Sequence, residues 1–321
     1  MHPFIRSVTT LGIAAITAAL QCHAQPPEDP VFRVDVDMVV LSFTVTDSKG
    51  NHVHGLKKSD VSITEDGIPQ NVVVFGEGKL NRGAVPVEAL AGAKVYVLFD
   101  TSNWMYDGFA HAADTVCDFV RKLDSAVSIA VYRFSRNLYR AVTLTRDREQ
   151  AVSGVRSAVA GDNTALFNTM LLTLRDAARE SGRKVIVVFS NGSDNASVVS
   201  PDDIATLGED EGIPIYIVST KSPSSDVAST EAFRDLTNRT GGRLFWASDW
   251  GTQAQALAAV RDDLAGTYTV GYYPAPNPNQ GYRRLAVKIA GSSGAKYRVR
   301  TRSGYRPHPR KETTAKDPGT R

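Results

Sequence analysis

The pattern of apolar and polar positions changes character twice along the chain. From Val31 to Phe75 apolar residues alternate with polar ones: Val34, Val36, Met38 and Val40, then Phe43 and Val45, then Val61 and Ile63, then Val72 and Val74. A period of two predicts half-buried strands. Asp47-Ser48-Lys49-Gly50 and Glu65-Asp66-Gly67 supply turn signals between them. This makes a β module over 31–75 of roughly four short strands, too small for a core of its own.

Beyond a connector from Gly76 to Ala93, the pattern becomes continuous apolar runs separated by helically spaced segments. Val95-Tyr96-Val97-Leu98-Phe99 and Val185-Ile186-Val187-Val188-Phe189 are uninterrupted, as strands buried on both faces are. Phe109, Ala112, Ala113, Val116, Phe119, Val120 and Leu123 recur at helical spacing, and 127–134 with 138–144 form a hairpin through Ser135-Arg136-Asn137. Helices are expected at 148–159, at 165–180, from Pro201 and at 230–238. Strands are expected at 184–189, 214–218 and 243–247, with Gly241-Gly242 closing the helix before the last of them. The succession predicts an α/β fold, a mostly parallel sheet of about six strands with helices on both faces. After a helix at 252–264 alternation returns in Tyr268, Val270 and Tyr272, in Leu285, Val287 and Ile289, and in Tyr297 and Val299, with Pro274-Ala275-Pro276-Asn277-Pro278 at the first bend. The simplest arrangement pairs these strands with the N-terminal module as one β-sandwich interrupted by the α/β domain.

Candidate chemistry gathers where strands of that sheet end. The first long run delivers Asp100-Thr101-Ser102-Asn103-Trp104, the second Ser190-Asn191-Gly192-Ser193-Asp194, and Asn163-Thr164-Ala165-Leu166 opens a helix between them. Oxygen-bearing side chains at the carboxyl edge of an α/β sheet suggest a ligand or metal site. The set resembles the metal-ion-dependent adhesion site of the von Willebrand factor A (VWA) domain, which combines Asp-x-Ser-x-Ser, a distant threonine and an Asp-Gly turn. On that resemblance Asp100 and Ser102 fill the first two positions and Thr164 the threonine's. Trp104 stands where the second serine belongs, and Asn191 replaces the aspartate before Gly192. Trp104 cannot ligate, and Asn191 offers a carbonyl oxygen without charge. The resemblance therefore implies a Mg2+ or Mn2+ ion held by Asp100, Ser102, Thr164 and Asn191 weakly or not at all, with Asp194 or Asp162 as substitute ligands. Trp104, Asn103 and Asp194 are the candidates for contact with a partner. From the residues alone, a second reading stays open: Asp100 caps a following turn, the hydroxyls serve backbone donors, and Asn191-Gly192 is a tight turn.

Thr44-Val45-Thr46-Asp47-Ser48-Lys49-Gly50 before this core, with Gly271-Tyr272-Tyr273 and Ser303-Gly304-Tyr305-Arg306 after it, resemble exported bacterial VWFA-related proteins of the Acidobacterial type. Taken with the patterns above, the chain divides into a signal peptide at 1–24, the β module at 31–75, a VWA domain at 94–248, a helix and sandwich strands at 249–306, and a disordered tail at 307–321.

Composition narrows the function class. Of 321 residues 42% are hydrophobic and 22% charged, as in globular proteins, and a net charge of +3 with no basic run interleaved with aromatics argues against nucleic acid. Residues 1–24 read as an export signal, with Arg6, the apolar run Leu11 to Leu20 and cleavage after Ala24. Gln21 before Cys22 makes a poor lipoprotein box. No later run reaches about eighteen apolar residues, the length of a membrane span, so the mature chain is expected in a periplasm or outside the cell. Cys117 is then the one remaining cysteine, and no internal disulfide can form. His52-x-His54 reads as a solvated strand edge, and Arg298, Arg300 and Arg302 as one solvated strand face. Gly-x-Ser-x-Gly, His-Glu-x-x-His and a phosphate loop are all missing, so an enzyme is not expected. The expected function is binding of a protein or envelope macromolecule through the degenerate rim. The alternative is a structural component that binds through its β-sandwich while the rim is inert.

Overall fold

The computed structural model describes residues 38–78, 93–192, 194–290 and 297–307, with the side chains of Trp104, Tyr106 and Asp107 outside the description. The described residues fall in one unit of the chain, Val36–Arg321. The export signal, Val34, Val36, most of the connector, Ser193 and nearly all of the expected tail lie outside the described residues.

Strand β5 (Lys94–Asp100) is central because it is apolar on both faces: Val95 to Asp100 are all buried. It pairs in parallel with β6 (Ser128–Phe134) and β8 (Lys184–Ser190). Outside them lie β7 (Leu138–Thr145), antiparallel to β6, and the parallel strands β9 (Ile215–Ser219) and β10 (Leu244–Trp246), giving the order β10-β9-β8-β5-β6-β7. Successive β5 residues serve opposite layers, as the pleat requires. Val95, Val97 and Phe99 pack with α1 (Phe109–Lys122), α2 (Arg148–Arg156) and α6 (Trp250–Ala265). Tyr96 and Leu98 pack with α3 (Leu166–Ala178), α4 (Pro201–Asp210) and α5 (Val227–Thr240). Two helices start earlier than their apolar spacing predicts: Asp226 caps α5 through the Ser229 amide, and Asp249 caps α6 through the Thr252 amide. Helix α2 stops at Arg156, short of the expected Val159.

The alternating segments from the two ends of the chain do pair with each other. β1 (Val39–Thr46), β4 (Val72–Glu77), β11 (Tyr268–Tyr272) and β13 (Arg298–Thr301) form the antiparallel sheet β13-β1-β11-β4. β2 (Val61–Glu65), β3 (Ile68–Pro69), β12 (Arg283–Ile289) and β14 (Gly304–Tyr305) form β14-β12-β2-β3. Leu41 faces Val270 across one ladder and Ile63 faces Val287 across the other. The two sheets share one core of Leu41, Phe43, Ile63, Tyr268, Val270 and Tyr272.

Three polar readings change in the folded chain. Glu65 is no turn residue: the β2–β3 turn is Asp66-Gly67, both at positive φ (51° and 85°), the hairpin geometry that such a dipeptide favours. Glu65 closes β2 wholly buried, accepting from Arg283 at 2.7 Å and from the Tyr272 and Tyr305 hydroxyls at 3.1 Å each. The three arginines are not one solvated face. Arg300 donates to Asp263 of α6 at 2.8 Å, and Arg302 is 6% exposed, donating to the carbonyls of Glu209 and Asp210 at 2.6 and 3.2 Å and of Val40 at 3.2 Å. Alternation places side chains on a face but cannot say what docks there. Here the end of α4 docks, and its orphan carbonyls accept a guanidinium. Nor is His52 a solvated edge residue, since its Nε2 lies 2.9 Å from the buried Asp263, while His54 contacts Glu77.

Removing one partner of a buried ion pair strands the other. Glu65→Ala is expected to lower stability by about 3–5 kcal/mol, read as a fall in the denaturant midpoint, because Arg283 stays buried without its carboxylate. Glu65→Gln keeps acceptor oxygen for the tyrosines and is expected to lose less.

Candidate functional site

The site begins with a conflict: a strand buried on both faces ends in a carboxylate. Asp100 is 0% exposed, and its two oxygens take different donors. Oδ1 accepts the Ser102 amide at 2.8 Å, folding the chain back as an Asx turn, and Oδ2 accepts the Ser190 hydroxyl at 2.6 Å. Burial pushes the Asp100 carboxyl above the usual carboxylate range, while the hydrogen bonds from Ser190 and the Ser102 amide act the other way. Ser190 ends β8, beside β5, and its Oγ also accepts the Gly192 amide at 3.1 Å. Gly192 has φ +92°, and a Cβ there would stand 2.9 Å from the Phe233 ring, so the turn after β8 needs glycine.

Backbone hydrogen bonds tie the other loops to the same edge. The Thr101 amide and hydroxyl both donate to the Phe134 carbonyl at the end of β6, at 2.7 and 2.9 Å. Gly161 donates to the Thr101 carbonyl at 2.7 Å, and Asn103 to the Asp162 carbonyl at 3.0 Å. The Thr164 carbonyl accepts from Asn195 and Ala196 at 3.1 Å each, and the Thr164 amide donates to Asn195 Oδ1 at 3.1 Å. The loops carrying Ser102, Thr164 and Asn191 are thereby fastened to the strand end that carries Asp100.

The predicted residues have different fates at this edge. Ser102, Thr164 and Asn191 are buried at 1%, 0% and 3% exposure. Asn103 and Asp162 are exposed, and the backbone of Trp104 sits in a short 3-10 turn, Asn103–Gly108. Asp194 is occupied with backbone: Oδ2 accepts the Phe167 amide at 2.9 Å in the first turn of α3, and Oδ1 the Ala196 and Ser197 amides at 3.2 and 2.9 Å. It serves α3 as a cap supplied by another loop, because Ala165 at the cap position has no side-chain oxygen. Ser190 is the member that spacing did not single out. The signal was a hydroxyl directly after the second buried run, at the height of Asp100.

Two oxygens decide what this arrangement can do. Ser102 Oγ and Thr164 Oγ1 are both buried; Thr164 Oγ1 has no hydrogen-bond partner, and the Ser102 hydroxyl has only the Asp100 carboxylate at the start of its own turn. Each costs about 1–3 kcal/mol if nothing pairs with it. Together with one carboxylate they are hard, mostly neutral oxygen donors, which fit a small divalent cation at low charge compensation. Among the described residues no cluster of three or more His, Cys, Asp or Glu side chains could hold a metal.

A family model described as the von Willebrand factor type A domain matches residues 94–259. Comparison with curated proteins returns no match. Among solved structures, the chain is similar to the conserved hypothetical protein BatB from Bacteroides thetaiotaomicron, with 15% identity over 53% of this chain and 98% of that one and a TM-score of 0.43. It is also similar to a von Willebrand factor type A protein from Catenulispora acidiphila, with 12% identity over 67% of each chain and a TM-score of 0.44. Proximal thread matrix protein 1 from the mussel byssus, solved with a zinc-occupied MIDAS motif, matches at 16% identity over 54% of this chain and 48% of its own, with a TM-score of 0.44.

Ser190→Ala tests the strand-end hydrogen bond directly. It is expected to destabilise the fold by about 1–3 kcal/mol in chemical denaturation with unchanged far-ultraviolet dichroism, since a buried carboxylate loses its hydroxyl donor.

Proposed function

The chain belongs to the von Willebrand factor type A domain family, and from that premise we propose that it is an exported binding protein whose rim takes a weakly held divalent cation and a partner's acidic group. The observation that carries this reading is the buried Thr164 hydroxyl, which has no partner, at the edge where Asp100 and the Ser102 hydroxyl are also buried. Export is supported by the pattern of residues 1–24. Among the described residues no helix is long and apolar enough to cross a membrane.

Each residue has a stated part. Asp100 supplies the negative charge, and Ser190 fixes which way its carboxylate faces. Ser102 and Thr164 supply neutral oxygens, and Asn191 offers a carbonyl oxygen where charge would strengthen the site. A Mg2+ or Mn2+ ion bound there supplies a coordination position that a partner's carboxylate completes. We assign Asp194 to the start of α3, where its two oxygens accept three backbone amides. The reading is of a module that binds and does not turn over a substrate, with an unidentified protein or envelope macromolecule as its partner.

Calorimetric titration with Mn2+ and then Mg2+ tests the proposal. Weak saturable binding is expected, abolished by Asp100→Ala, weakened about tenfold by Thr164→Val and tightened about tenfold by Asn191→Asp, which adds the missing charge. Asp194→Ala is expected to cost about 1 kcal/mol of stability and leave ion affinity unchanged. Binding that survives Asp100→Ala in a folded variant would sink the reading.

A further inference from the structure

A second concave site lies away from the rim, where the end of α5, strand β10 and strand β13 meet. It is a cleft of about 240 Å3 whose lining includes Arg234 and Asn238 from α5, Arg243 and Trp246 from the β10 segment, and Arg300 from β13. We propose that this cleft binds a phosphate dianion, as free phosphate or as a phosphate monoester.

Charge is the first ground. The cleft has three arginines, and two of them share one carboxylate: Asp263, wholly buried, lies 2.8 Å from Arg300 and 3.9 Å from Arg243, and His52 also contacts it at 2.9 Å. Arg234 forms no ion pair with any described residue. About two positive charges are left uncompensated in one cleft. The end of α5 opposes this with the partial negative charge of a helix C-terminus, about half a unit. Two guanidinium charges outweigh it, and the cleft stays positive.

Preorganisation is the second ground. Arg243 is stacked over Phe245, 4.5 Å from the ring centroid, and Arg300 is anchored on Asp263. Guanidinium groups already held in place lose little freedom when they bind an oxyanion, and their paired N–H donors match its oxygens two at a time. The volume is several times the roughly 30 Å3 that a water molecule takes up, enough for a tetrahedral oxyanion and the first atoms of its ester. A dianion neutralises the two spare charges, whereas a monocarboxylate leaves one.

The proposal is independent of any ion or partner at the Asp100 rim. Its test is calorimetry of the full chain with inorganic phosphate and with glycerol phosphate, at low salt and at a pH of about 8, where both are doubly charged. Saturable binding is expected. Arg234→Ala, on the exposed side of α5, should weaken it severalfold, and Arg234→Ala with Arg243→Gln about tenfold or more. Arg261→Ala, an equal change of charge elsewhere on the surface, should leave it unchanged. Tighter binding of the ester than of free phosphate would identify the ester as the ligand form, and the reverse the free ion. No saturable binding, equal affinity in the folded double variant, or acetate binding as tightly at matched ionic strength would overturn the assignment.

Discussion

A carboxylate at the end of a strand buried on both faces must be held by donors that the fold itself supplies, and the contact from Ser190 to Asp100 is where the two central strands meet that demand. The rest of the edge follows from it. The Asx turn on Asp100 sets the direction in which Ser102 leaves the sheet, and the glycine after Asn191 lets the β8 loop close without a Cβ against Phe233. These loops are tied by backbone hydrogen bonds, and the buried Thr164 hydroxyl is left without a partner. The edge is therefore a rigid set of oxygens whose polarity is unspent.

The same rule governs the join between the α/β domain and the sandwich, with more partners. Asp263 and Glu209 are buried acids on α6 and α4, and each is met from the sandwich side: Asp263 by His52 and Arg300, Glu209 by the Tyr282 hydroxyl at 2.7 Å. Arg239 of α5 adds two hydrogen bonds to Glu209, at 2.6 and 2.9 Å. Arg302 lies over the Tyr305 ring while it donates to the end of α4. Gly241 permits this closeness, since a Cβ there would stand 2.5 Å from the Thr301 carbonyl carbon. Buried charges matched on both sides make separation of the two parts costly, because each would carry unpaired ions into the gap.

How much of this could be read beforehand depends on whether a feature is local. Uninterrupted apolar runs identified β5 and β8, alternation identified β1, β2, β4, β11, β12 and β13 but not the two-residue strands β3 and β14, and Gly241-Gly242 marked the end of α5. All of these are properties of neighbouring residues. The caps Asp226 and Asp249 were local too, but lie outside the apolar spacing that sets a helix in the eye, and so two helix starts came late. Glu65, Arg302 and His52 were illegible for a different reason. Their partners lie far off in sequence, Arg283 for Glu65 and the end of α4 for Arg302, and only the docking of whole elements brings them together. At the edge, motif spacing picked out Asp100, Ser102 and Thr164, which the fold does bring to one sheet edge, but could not show that Asp194 accepts an amide from the first turn of another segment's helix.

The α/β domain is inserted between β4 and β11, and these two strands are neighbours in one sheet, with Glu77 directly opposite Tyr268. The chain thus leaves the sandwich and returns to it side by side. A mechanical load applied at the Asp100 edge reaches the sandwich through two covalent crossings, not one, and divides between strands that already grip each other. Neither tether can be drawn out alone without shearing the ladder to its twin, so the insertion behaves under tension as a doubled cord.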